Sequence, residues 1–140
     1  MSHKESNLPP VSAEALEAFQ AASDDIIKET VKRSLEREDE VIHHGDDAGE
    51  LITSGITFTT QMLEAAMSMG EIPLLEDELQ WAKDRLPHDG VELEHVKVRL
   101  QIYRNVVSEK IPAEHSQEIN QFIDWMINRQ EEIISQEKTP

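Results

Sequence analysis

Hydrophobic residues in this chain recur every three or four positions from Leu16 to Ile134, with charged and small polar residues between them. That is the period of helices that bury one stripe. Leu16, Phe19, Ile26 or Ile27, Val31 and Leu35 fall at this spacing behind Ser12, which is placed as an N-cap, and Glu14 in the first turn. The predicted helix reaches about Ile42. A helix of roughly thirty residues is about 45 Å long, longer than a globule of this size is wide, so a break is expected at Ser23-Asp24-Asp25. It would leave a short N-terminal helix that projects or packs on a second subunit. Residues 1–11 are polar, contain Pro9-Pro10 and lack periodicity, and are expected to form a flexible lead-in.

The pattern is clearest between Leu51 and Leu86. Ile52, Ile56, Phe58, Met62, Leu63, Ala66 and Met67 alternate with Thr53, Ser54, Thr57, Thr59 and Thr60, a helix face suited to a pocket or an interface. Gly70 can close that helix in the left-handed conformation, and Pro73 suits the first turn of the next. The second helix aligns Leu75, Leu79, Ala82 and Leu86, with Trp81 and Arg85 four apart on a neighbouring stripe. After the turn Pro87-His88-Asp89-Gly90, the segment from Val91 carries one stripe of Leu93, Val96, Leu100, Tyr103 and Val107 and another of Val98, Ile102 and Val106. A helix apolar on two sides is expected at the centre of the fold. Ile111-Pro112 ends it, and a last helix from about Ala113 carries Ile119, Phe122, Ile123, Met126, Ile127, Ile133 and Ile134. No run alternates with period two, so strands are not expected.

Composition narrows the chemistry. The 140 residues form one domain by size, and the absence of cysteine excludes disulfides, thiolate metal sites and thioether-linked cofactors. The formal charge of −16, from 29 acidic and 13 basic residues, disfavours nucleic acid and anionic membranes as partners. No apolar run is long enough to span a bilayer and no secretory signal is readable, so a cytoplasmic protein is expected. His43-His44-Gly45-Asp46-Asp47 reads as a helix end followed by Asp46 or Asp47 capping the next helix, because its histidines lack the spacing that converges on a metal. Glu92 and His95 make one Glu-x-x-His pair, and one copy cannot build a carboxylate-bridged metal centre. Glycine-rich phosphate loops and nucleophile elbows are absent. No enzyme activity is expected.

The order of elements resembles the globin superfamily. Leu63 to Asp77, followed by the Trp81 helix, the Pro87–Gly90 turn and the Val91 helix, is similar to the middle of phycobiliproteins and to the non-haem globin sensor domains of bacterial stress regulators. The resemblance implies an all-α, globin-like bundle of about six helices over residues 12–137, with an N-terminal helical extension. It departs from the family where a pigment would be attached: the Cys-x-Arg-Asp position is occupied by Ile52-Thr53-Ser54-Gly55, so covalent bilin attachment is excluded. Where a haem globin carries its proximal histidine, this chain reads Ala82-Lys83-Asp84-Arg85-Leu86, and haem is not expected.

What the resemblance then implies is a pocket between the Leu51 and Trp81 helices that holds a linear tetrapyrrole, a bilin, noncovalently. In that pocket Arg85, Arg99 and Lys83 would meet propionates, His88 or Asp84 would face the ring nitrogens, and Phe58, Met62, Trp81 and Tyr103 would form walls. The expected role is sensing, transport or delivery. The alternative is a non-haem sensor or interaction module with a fatty-acid-like ligand or none, acting by homodimerisation through its N-terminal or closing helices.

Overall fold

A computed structural model describes residues 8–37, 47–89 and 92–138 as five α-helices and one short 3-10 turn. The helices are α1 (Ala13–Leu35), α2 (Ala48–Met69), α3 (Ile72–Arg85), α4 (Leu93–Lys110) and α5 (Ala113–Lys138), with the turn Pro87–Asp89 between α3 and α4. The described residues are all-α, as the spacing predicts. They contain five helices where about six were expected, because the break in α1 does not occur. Ser23 sits inside the helix and donates its hydroxyl proton to the Phe19 carbonyl at 2.8 Å, a bond that keeps it within the turn. Asp24 and Asp25 are exposed, so neither is needed to start a new helix. The helix is kept short at its other end instead: it stops at Leu35 after 23 residues, about 35 Å. It does not project. It packs on α2, α4 and α5 of its own chain.

The face of α1 turned inward keeps Phe19 and Ile26 of the expected stripe and is otherwise shifted by one position. Ala15, Phe19, Ile26, Thr30 and Ser34 are buried, while Leu16, Ile27, Val31 and Leu35 pack at the edge of the core. Thr30 and Ser34 put small polar side chains into this buried face. The helix begins as predicted, with the Ser12 hydroxyl accepting the Ala15 N–H at 3.1 Å. Glu118 of α5 completes this start by accepting both the Ser12 N–H at 2.8 Å and the Ser12 hydroxyl at 3.0 Å. His43, His44, Gly45 and Asp46 lie outside the described residues. Asp47 occupies the N-cap position of α2 without a side-chain capping bond.

The corner between α2 and α3 forms as its residues require. Gly70 has φ +70°, Glu71 N–H reaches back to the Ala66 carbonyl at 3.0 Å, and Pro73 falls in the first turn of α3. The described part of the lead-in lies across this corner, with Leu8 N–H bonded to the Gly70 carbonyl at 3.3 Å and Val11 N–H to the Met67 carbonyl at 3.1 Å. A Cβ at position 70 would stand 2.4 Å from the Leu8 carbonyl oxygen and 3.1 Å from the Pro10 ring. Gly70→Ala is therefore expected to cost about 2 kcal/mol, one part from the left-handed backbone and the rest from displacing the overlying segment. Urea unfolding measures this, and an unchanged midpoint would contradict it.

One core runs through the bundle. Phe19 and Ile26 from α1, Ile52 and Leu63 from α2, Leu75 and Leu79 from α3, Leu100 and Val106 from α4, and Phe122 and Met126 from α5 all meet in it. Tyr103 of α4 is fully buried there. Thr60 donates its hydroxyl to the Ile56 carbonyl at 2.9 Å, so the hydroxyl pair at 2.7 Å is made by the Tyr103 phenol donating to Thr60. At the surface, Arg33 joins α1 to Glu109 of α4, Arg104 joins α4 to Asp124 of α5, and Arg129 joins α5 to Glu76 of α3. Such solvent-accessible pairs are screened by water and contribute little to stability. No helix among the described residues is long and apolar enough to cross a membrane.

Candidate functional site

α3 packs on α2 and α5, whereas α4 packs on α1 and α5. Where α2, α3 and α4 face one another, a groove of about 290 Å³ remains. Its floor is apolar: Leu79 and Ala82 come from α3, Leu100 and Val96 from α4, and Met126 from α5. The α2 wall is Leu51, Ser54, Gly55, Ile56, Phe58 and Thr59. Gly55 contributes no side chain, and a Cβ there would meet nothing within 4 Å.

The mouth is built from large apolar groups left in water. Leu51, Phe58 and Trp81 are 45, 43 and 56 % exposed, and the Phe58 and Trp81 rings lie 6.3 Å apart between centroids with their planes at 51°. This tilted pair bridges α2 and α3 in the range where aromatic rings attract one another. Leaving three such groups exposed around one opening is characteristic of a binding surface.

Two charged side chains face this apolar space. Arg99 of α4 is one, and it is nearly buried. Glu78 of α3 is the other. Its Oε2 accepts the Thr59 hydroxyl from α2 at 2.8 Å, while Oε1 is sealed from water with no hydrogen-bond partner among the described residues. Burial pushes the Glu78 carboxyl up to about 7, against the Thr59 hydrogen bond, which pulls it down. The groove thus holds a carboxyl that changes charge near neutral pH in an apolar wall.

The groove brings together three of the residues nominated from sequence, Phe58, Trp81 and Arg99. The other five stand elsewhere. Met62 packs against the core cluster. Tyr103 belongs to the core and not to the groove wall; burial pushes its phenol above the ordinary value, the Thr60 bond pulls it back, and the charges of Glu78 and Glu64 add to the rise. Asp84 is exposed beside Lys83, 3.8 Å away. Arg85 is exposed on α3 and His88 on the 3-10 turn, and neither lines the groove.

Glu78 and Thr59 were not among the nominated residues. The signal for Glu78 was its position, three residues after Leu75 and four before Ala82, which sets a carboxylate against a buried apolar stripe. The Glu92–His95 pair forms as a contact of 3.6 Å at the start of α4, away from the groove. No group of three or more metal-ligating side chains converges among the described residues. No protein-family model and no curated protein matches this chain.

Proposed function

We propose that this protein is a non-enzymatic binding domain that holds a small amphipathic molecule noncovalently in the groove between α2, α3 and α4. The observation that carries the proposal is an open apolar cleft, rimmed by Phe58 and Trp81, with the Glu78 carboxyl in its wall. Its volume is at the lower end of the range for small-molecule sites. A ligand with one or two rings, or a short chain, fits inside it.

A globin-like arrangement that carries a bilin is the more specific form of this reading. Its support is the order of the helices, the Gly70 corner and the position of the cleft beside the tryptophan helix. Its weak point is chemical. Of the cations proposed for the propionates only Arg99 lines the cleft, and Asp84 and His88 do not reach it. A linear tetrapyrrole would have to leave part of its length outside, beyond the aromatic rim.

A titration in a Trp125→Phe background, which leaves Trp81 as the sole tryptophan, tests the proposal with biliverdin, a phycobilin, haemin and a fatty acid. Binding is expected to change Trp81 emission and to stabilise the fold by about 2.7 kcal/mol at a hundredfold excess over Kd. Gly55→Leu adds a side chain to the cleft wall from α2, where its Cβ meets nothing within 4 Å, and replaces a mid-helix glycine, so it should fold at least as well and bind nothing. Equal binding by Gly55→Leu would move the site elsewhere. Silence from all four ligands would favour a helical interaction module acting through its surface.

A further inference from the structure

We infer that the ligand of this cleft carries no charge: it is a flat molecule of one or two rings whose polar group is neutral, a hydroxyl or a carbonyl. This rests on the reading of the cleft as a ligand site and names the class of molecule that the site selects.

A charged group that enters an apolar space gives up its hydration, and the loss is made good only where the wall offers an opposite charge within hydrogen-bonding reach. This wall offers none. Glu78 Oε2 is taken by the Thr59 hydroxyl, and Oε1 is closed off from solvent and so from anything in the cleft. Arg99 is nearly buried and already engaged within the protein. Because the two are of opposite sign and line the same cleft, an ion of either sign is attracted by one and repelled by the other. An anion meets the further opposition of a formal charge of −16. For a cation, Phe58 and Trp81 present ring faces at the mouth, but both rings are exposed, and such contacts are weak where water screens them.

The α2 wall points the same way. In a chain whose residues are 30 % charged, Leu51 to Leu63 contains no charged residue, and this gap falls on the helix that forms the wall. Leu51, Ser54, Gly55 and Phe58 are exposed there, at positions where a solvated helix face ordinarily carries charge. Ser54, one turn before Phe58, supplies a neutral hydroxyl that both donates and accepts. It meets the hydroxyl or carbonyl of the ligand, while Phe58, Trp81, Leu79, Leu100 and Met126 cover the rings. An acid such as a fatty acid or a bilin enters only with its carboxylates left in water beyond the rim, at a loss of affinity.

The test uses three probes of one shape, 2-naphthylmethanol, 2-naphthylmethylamine and 2-naphthoate, titrated calorimetrically into the full chain at about pH 7.5, where they are neutral, cationic and anionic. The alcohol is expected to bind about tenfold more tightly than either ion. Gly55→Leu should abolish its binding, and Glu78→Gln should leave the order of the three unchanged, since neither carboxyl oxygen is offered to a ligand. An amine or a naphthoate that binds as tightly as the alcohol, or that moves ahead of it in Glu78→Gln, overturns the neutral ligand while leaving the cleft a ligand site. Binding of the alcohol that survives in Gly55→Leu, or no binding by any of the three to the parent, overturns the cleft as the site and this inference with it.

Discussion

Tyr103→Ala is expected to lower the free energy of unfolding by about 3–5 kcal/mol, the range for truncating a fully buried aromatic side chain. The ring is fully buried in the core shared by α2, α4 and α5. Removing it leaves a cavity between helices held by other contacts, so the gap cannot close fully. The hydroxyl is a separable part of the effect. Because Thr60 keeps its bond to Ile56, Tyr103→Phe removes one buried donor and one bond, with an expected loss of about 1 kcal/mol. Urea unfolding followed by far-ultraviolet circular dichroism gives both numbers. Similar losses for the two substitutions would mean that the hydroxyl, and not the packing of the ring, carries the stability. Since Tyr103 does not line the cleft, folded Tyr103→Phe should bind ligand as the parent does.

Glu78→Gln should change the dependence of stability on pH more than its value at any one pH. The folded carboxyl titrates near 7 and the unfolded one near its ordinary 4.5. Below about 4.5 both states are protonated and the contribution is complete. Between 4.5 and 7 the folded state retains a proton that the unfolded chain has released, so stability falls as pH rises, and above 7 the contribution is gone. A gap of this size corresponds to about 3 kcal/mol between pH 4 and pH 8. Glutamine cannot ionise, so the variant should gain about that much relative to the parent as pH is raised from 4 to 8, while the repulsion among the other acidic groups is common to both proteins. Parallel stability curves across this range would show that Glu78 titrates as a solvated carboxylate.

The architecture was more legible in the sequence than the site. Gly70 and Pro73 each have a local backbone preference strong enough to mark a corner without knowledge of the rest, and Ser12 does the same for a helix start. The apolar pattern of α4 anticipated the burial of Leu100, Tyr103, Val106 and Val107 but not its place: its second stripe is only half-buried at Val98 and Ile102, and the helix that packs on all four others is α5. The continuity of α1 was not legible, because Ser23 can cap a new helix or bond back to Phe19 within the old one, and packing on α2, α4 and α5 decides between them. At the site, Trp81 and Phe58 announce themselves by size, whereas Arg85 shares a stripe with Trp81 and yet faces away from the cleft. Glu78 sits in a run of acidic residues, Glu76-Asp77-Glu78, that reads as solvated surface. Only the docking of α2 against α3, which places Thr59 beside it, separates the half-buried member from its exposed neighbour Asp77.

The bond between Ser12 and Glu118 joins residues 106 positions apart. In translation α1 is made before α5, so its opening turn is fully tied only once α5 has docked. Until α5 is released, the inward face of α1 has lost one of its three packing partners, and the early helices are held by α2 and α4 alone. Completion of this fold therefore waits on the docking of α5.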